Sequence, residues 1–212
     1  MISIKIFICN AFQENTYLVF DETGQTLVVD AGNSLAEEDS MIEAFIHSNQ
    51  LTPMLLVSTH GHVDHLLGNA FLKEKYHLPY AAHADDLDLI KDAASHGAMF
   101  GLVVKPPPLP DRLLSHGDVI TFGNSLLRVI HLPGHSKGGI GLYSEKQHFI
   151  IVGDVLFQRS IGRTDLPGGD FDQLVDSIRS QLFTLPEETV VYPGHGPSTT
   201  IYEEIHENPF LK

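Results

Sequence analysis

The chain has 212 residues, a hydrophobic fraction of 42% and a formal net charge of −14, which suits one domain over residues 1–212 with a sizeable core and argues against nucleic acid as the main ligand, because phosphate binding needs a basic face. A single cysteine, Cys9, excludes an intramolecular disulfide and a thiolate-rich metal site, so any metal would be held by nitrogen and oxygen. Thirteen histidines against thirteen Lys plus Arg raise the question of metal before any motif is found.

Residues 2–9 alternate like a strand and lack the long apolar core and cleavage site of a signal peptide. No stretch approaches the ~20 apolar residues of a membrane span, so a soluble cytoplasmic protein is expected. Residues 14–20 and 26–30 read as two more strands, with a turn at Asp21–Gln25 between them. Asp30 ends the third strand, where it could orient a ligand from behind or cap the following loop. Ser34-Leu35-Ala36-Glu37 has the spacing of a capping box, and Met41, Ile42, Phe45 and Ile46 continue a helical stripe to about Gln50. A buried strand over 54–59 leads into Thr59-His60-Gly61-His62-Val63-Asp64-His65, and a helix is expected over 66–75. A strand at 78–82 and a helix from Ala84 to about Ala98 follow. The proline-rich 104–110 reads as a stiff extended connection.

The second half opens with strands at 119–122, 126–132, 141–144 and 149–152. A helix starts at Asp170, with Gln173 as its box partner, and runs through Leu182. A strand at 190–192 and a short helix at 199–207 end the chain. Strands followed by strand–helix units in each half suit two sheets packed together with helices outside.

The 59–65 segment carries the chemistry. Three imidazoles and a carboxylate in six residues are the side chains that bind borderline divalent metals such as zinc. His60 and His62 are two apart and project to one side of extended backbone. Asp64 and His65 fall where the chain turns and can face a second point. Three later segments share the form strand, glycine, ligand-type residue: Gly134-His135, Gly153-Asp154 and Gly194-His195. Glycine before the ligand lets the backbone turn sharply or lie close to the metal. Seven donors exceed the four or so of one zinc ion and suit two ions sharing a carboxylate. The expected division is His60, His62 and His135 on one ion, Asp64, His65 and His195 on the other, and Asp154 bridging. Two ions about 3.5–4 Å apart activate water toward hydroxide near neutral pH, which attacks a carbonyl carbon without any Ser or Cys nucleophile. With one ion only, Asp64 is free to act as general base, so Asp64 and Asp154 are the expected catalytic carboxylates. His47, His77, His83, His96, His116, His131, His148 and His206 are expected to be ordinary surface or core residues.

The segment from Thr59 to His65 matches the T-H-x-H-x-D-H motif of the metallo-β-lactamase-fold hydrolases, and His135, Asp154 and His195 match that superfamily's later ligand positions in order. The resemblance spans nearly the whole chain and implies an α+β fold, a four-layer αββα sandwich with the metals at one edge between the sheets. Within that superfamily the chain resembles the glyoxalase II group, through residues 10–18 and 153–157. Residues 162–170 and the ending Gly194-His195-Gly196-Pro197-Ser198-Thr199-Thr200 resemble its small bacterial YcbL-type branch. The implied reaction is hydrolysis of S-lactoylglutathione, a small anionic thioester, with two divalent ions, zinc first and iron or manganese as alternatives. Arg163 corresponds to the cation that grips the glutathione glycine carboxylate, with Lys137 and Arg159 nearby in sequence. Three departures stand beside this match. Full-length glyoxalase II enzymes carry a C-terminal helical domain that holds glutathione, whereas this chain stops at Lys212, and Pro197 and Asp165 stand where that group has tyrosines. The resemblance also admits a persulfide dioxygenase using one iron on His60, His135 and Asp154. A lactamase is less expected, since no residue points to a β-lactam site. The oligomeric state is not readable from the sequence.

Overall fold

Alternation along the strands separates three apolar layers. In the computed structural model, which describes residues 1–212, the central strands are β2 (Glu14–Phe20), β3 (Gln25–Val29) and β4 (Thr52–Val57). They send Tyr17, Val19, Leu27, Val29, Leu55 and Val57 to one side and Leu18, Val28 and Leu56 to the other. That is the period of two a pleated strand imposes. The first set meets Phe122, Leu127, Val129, Leu142 and Ile151 of a second sheet. The second set packs on α1 (Ala36–Ser48), α2 (Asn69–Tyr76), α3 (Leu87–Lys91) and α4 (Ala93–Met99) through Ile42, Ile46, Leu72, Ile90 and Ala93. On the far side, Ile130, Ile150 and Val152 pack against Leu174 of α5 (Phe171–Ser177) and Ile201 of α6 (Ile201–Glu207). The layers are therefore αββα, as the resemblance implies.

The first sheet runs β1 (Ser3–Cys9), β2, β3, β4, β5 (Tyr80–His83), β6 (Arg112–Leu114). It is antiparallel through β3 and parallel from there on. Parallel neighbours need a crossover, and α1, α2 and the pair α3–α4 supply the three in turn. The second sheet runs in the order β14 (Thr199–Thr200), β13 (Val190–Pro193), β10 (Phe149–Gly153), β9 (Ile140–Ser144), β8 (Ser125–His131), β7 (Val119–Phe122). Within it only β10 and β13 are parallel. A ribbon of β11 (Leu156–Phe157) and β12 (Ser160–Ile161) follows β10. No helix is long and apolar enough to cross a membrane.

Several boundaries differ from expectation, each for a local reason. Helix α1 is capped at Leu35 rather than Ser34, and Glu38 rather than Glu37 reaches back. Its Oε2 accepts from the amides of Ser34 (2.6 Å) and Leu35 (3.1 Å), and its Oε1 accepts from the amide of Asn10 (2.7 Å). Helix α2 starts at Asn69, not Leu66, because Val63–His65 is a 3₁₀ turn and the Gly68 amide is held on the Ala31 carbonyl at 2.8 Å. The helix expected from Ala84 to Ala98 is broken at Asp86 and Asp92 into a 3₁₀ turn, α3 and α4. The short β6, β11, β12 and β14 have too few residues for alternation to register. The proline-rich 104–110 forms neither helix nor strand, and Asp170 caps α5 by accepting from the Gln173 amide at 3.0 Å.

Candidate metal centre

Strands β3, β4, β5, β8, β10 and β13 all end at one edge of the sandwich, and each hands over to a polar residue there: Asp30, His60, Asp86, His135, Asp154 and His195 respectively. Clefts at the carboxyl ends of strands are where α/β sheets place ligands. Two glycines make this approach possible. Gly153 holds φ at +56° beside Thr59, and at Gly194 a Cβ would collide with Asp154 Oδ1 and stand 2.6 Å from His65 Cε1.

All seven residues singled out in the sequence converge at this edge. His60, His62 and His135 bring ring nitrogens within 4.8 Å of one another, and Asp64, His65 and His195 form a second such group. Asp154 lies between them. Its Oδ2 is 3.7 Å from His135 Nε2 and 3.6 Å from His195 Nε2, and its Oδ1 is 3.5 Å from His65 Nε2. Asp64 Oδ2 is 3.2 Å from His195 Nε2.

The far nitrogen of four of these rings is already committed. His65 Nδ1 donates to Asp30 Oδ2 (3.1 Å), and His60 Nδ1 donates to Thr59 Oγ1 (3.1 Å), which itself donates to Asp30 Oδ2 (2.6 Å). His135 Nδ1 donates to the Arg163 carbonyl (2.7 Å), and His195 Nδ1 donates to the Phe12 carbonyl (3.0 Å). Each bond places its ring's proton on Nδ1 when the imidazole is neutral, so that Nε2 is the nitrogen turned inward to meet an ion. His60 Nε2, His65 Nε2 and Asp154 Oδ1 are buried without a protein partner. His62 Nδ1 faces His135 Nε2 at 2.8 Å. Buried polar atoms normally find partners, and a set of inward lone pairs with none is the arrangement a divalent cation satisfies. The residues present fit such ions.

The electrostatics divide the two groups: His60 and His62 are held neutral, whereas His65 and His195 favour a proton that a bound cation would displace. Burial, with the neighbouring imidazoles, holds His60 well below its ordinary pKa and lowers His62 to about 3, so both rings keep their lone pairs. Burial also opposes charge on His65, but Asp64 and Asp154 outweigh it and raise its pKa. His195 rises for a similar reason, its bond to Asp64 outweighing burial. Burial opposes charge on Asp64 and Asp154 in turn, and the facing histidines, His65 first, overcome it, so both carboxyls sit below their usual range.

Residues outside the motif hold this arrangement. Asp30 orients both Thr59 and His65 (it also accepts from the Thr59 amide at 2.6 Å), so of its two expected roles the structure places it behind the ligands. Asp86 escaped the sequence reading. It accepts from the Gly61 amide (2.8 Å), Ser136 Oγ (2.7 Å) and the Gly138 amide (2.6 Å), tying the His60–His62 loop to the His135 loop. Its only signal was an Asp just past a strand end. Asn15 Nδ2 likewise donates to the carbonyls of Pro193 (3.0 Å) and Gly196 (2.9 Å) on either side of His195.

Five of the seven, His62, Asp64, His135, Asp154 and His195, open onto a cleft of about 300 Å³. Arg163 lines it too, with its exposed guanidinium on Asp165 at 2.7 and 2.8 Å. Arg159 is turned away to Glu207 of α6, and Lys137 lies in a neighbouring groove among Asp85, Asp88 and Asp92. His96, expected to be ordinary, lines the cleft. His83 and His131 stack at 4.2 Å near Asp85.

The metallo-beta-lactamase superfamily model matches residues 9–195. The chain belongs to that superfamily. It is 34% identical to hydroxyacylglutathione hydrolase GloC of Haemophilus influenzae over 211 residues, 99% of this chain and 98% of that protein. Two solved structures superpose over nearly its full length. TTHA1623, in a di-iron-bound form, is 39% identical at a TM-score of 0.89, covering 98% of this chain and 100% of that one. The B3 metallo-beta-lactamase BLEG-1 is 33% identical at a TM-score of 0.91, covering 99% and 100%. The chain is thus a metallo-hydrolase of this superfamily.

Proposed function

We propose that this metallo-hydrolase cleaves thioesters as the glyoxalase II group does, using two divalent ions. The observation that carries the reading is a carboxylate, Asp154, set between two groups of three donors on the floor of a cleft that no Ser, Cys, Thr or Lys lines. With the carboxylates and the imidazoles of the two groups taken up as donors, water is the nucleophile this reading assigns. The full-length similarity to a hydroxyacylglutathione hydrolase supports the substrate class.

His60, His62 and His135 would hold one ion, Asp64, His65 and His195 the other, and Asp154 both. Bound there, the pair supplies an activated water and positive charge for the oxygen of a carbonyl under attack. The remaining work falls to the chain itself. Asp30, Thr59 and the carbonyls of Arg163 and Phe12 keep the rings in one tautomer and orientation. Asp64 and Asp154 stay ionised and balance the cations. With one ion alone, Asp64 would be free to take a proton from water. Arg163 stands at the cleft as the contact for an anionic group. Its partner Asp165 is exposed, and an exposed ion pair is weak, so a substrate carboxylate can take that partner's place. Nitrogen and oxygen donors accept zinc, iron or manganese. Zinc is the first expectation, and the di-iron relative makes iron the one to compare.

The test is turnover of S-lactoylglutathione by the purified protein, with metal content measured on the same sample and a β-lactam as comparison substrate. Thioester hydrolysis with close to two ions per chain supports the reading. Oxygen uptake with glutathione persulfide, with one iron and no thioester hydrolysis, would replace it with the dioxygenase. Arg163→Ala should raise KM for an anionic thioester more than it lowers kcat, and an unchanged KM removes that residue's role.

A further inference from the structure

The wall of the cleft does not match the substrate that the family resemblance implies. Lactoylglutathione is polar along its whole length, yet beside the metal-type donors the cleft is lined by the apolar side chains of Phe12, Val63, Leu89, Met99, Phe100 and Leu166. Phe12, in the turn between β1 and β2, meets Phe100, just past α4, edge to face at 5.8 Å. Both remain partly exposed, 37% and 50%, and Met99 beside them is 81% exposed. Exposed large apolar side chains clustered at a site are the exception on a protein surface and mark a binding face. The Phe12 carbonyl also holds His195 Nδ1, so this wall is joined to the donor floor.

Charge leads to the same conclusion. Arg163 is the one lysine or arginine lining the cleft, so the lining offers an anionic substrate a single cation, at the place of the thiol half. The adjoining groove beyond Leu89 and His96 carries Asp85, Asp88 and Asp92 against Lys137, which repels an anion extended that way. At about 300 Å³ the cleft is at the small end for a ligand site, sized for the groups around the cleaved bond rather than for a whole peptide thiol.

A thioester has two halves. The thiol half of a peptide carrier is polar and charged and belongs toward Arg163 and solvent. We propose that the other half is an apolar acyl group of several carbons lying on the wall formed by Phe12 and Phe100, so that the preferred substrate is an aliphatic or aromatic acyl thioester. This rests on the thioesterase reading above. Water adds to the carbonyl carbon, the C–S bond breaks, and the products are a carboxylate, a thiol and one proton.

The experiment uses the metal-loaded protein and glutathione thioesters of acetyl, butanoyl, hexanoyl and lactoyl groups. The expected result is a kcat/KM that climbs about fourfold per added methylene, the factor for burying one CH₂, with lactoyl below butanoyl. In Phe100→Ala the hexanoyl-to-acetyl ratio should fall at least about tenfold, and Phe100→Leu should restore it. A binding readout runs beside it. Calorimetry on chelator-treated protein, with thioether analogues that carry one methylene between carbonyl and sulfur, should give the same rise in affinity with chain length. A flat series, or lactoyl preferred over hexanoyl, overturns the proposal while leaving the thioesterase reading intact. No turnover of any thioester removes both. Should Phe100→Ala fail to fold, the chain-length series on the unaltered protein decides alone.

Discussion

Asp21 and Asp154 sit at opposite ends of the sandwich, and each reaches from one sheet toward the other. At Asp21 the protein satisfies the carboxylate itself. Oδ1 accepts from the Thr23 amide (2.9 Å) and Thr23 Oγ1 (2.5 Å), and Oδ2 accepts from the Asn124 amide (2.7 Å) and Ser125 Oγ (3.0 Å). At Asp154 the facing imidazole nitrogens stand no closer than 3.5 Å, and Oδ1 has no donor in the chain. One end spends its buried carboxylate on joining two hairpins. The other keeps lone pairs unused at the cost of stability, which is how functional sites depart from the rules that govern the rest of a fold.

The largest expected effect breaks the second end directly. His62→Ala or Asp154→Ala should remove activity and bound metal together, a loss beyond the roughly 10–100-fold typical of residues that only orient ligands. Metal content and turnover measured on one preparation check this. Activity lost with metal retained would mean these residues act otherwise than as ligands. Next come the supports. Asp30→Asn and Asp86→Asn should weaken metal affinity by about 10–100-fold with the circular dichroism spectrum kept, read by competition against a chelator.

How far the sequence discloses the two ends follows from distance along the chain. His60, His62, Asp64 and His65 lie in one short segment, so their spacing alone is legible, and the strand–glycine–ligand form picks out His135, Asp154 and His195. Two packed sheets with helices outside follow from the order of strands and strand–helix units, and the four-layer αββα arrangement from the family resemblance. Asp86 is hidden because its three partners, Gly61, Ser136 and Gly138, are distant in sequence and ordinary in type. The apolar wall is hidden for the same reason, since Phe12 and Phe100 meet only after folding. The helix expected over 84–98 breaks because Asp86 is committed to that tertiary network, which overrides local propensity.

The smallest expected effect sharpens the comparison from the other side. Burial opposes charge on Asp21, but its hydrogen bonds outweigh it, and its pKa falls from 3.8 to about 2. A depressed carboxyl pKa contributes stability fully present above the unfolded value, near 3.8, and lost as pH falls toward 2. Asp21→Asn should therefore lower stability by about 1–3 kcal/mol at neutral pH and flatten the fall between pH 4 and pH 2, measured by denaturant unfolding. Metal affinity should stay as in the unaltered protein. A changed affinity would mean the two ends are coupled rather than independent.

The most direct test of the central claim, two donor groups sharing Asp154, is a calorimetric titration of zinc into the chelator-treated protein. Two equivalents per chain are predicted for the unaltered sequence, with fewer in Asp154→Ala. A single equivalent in the unaltered protein, undiminished by removing Asp154, would contradict it.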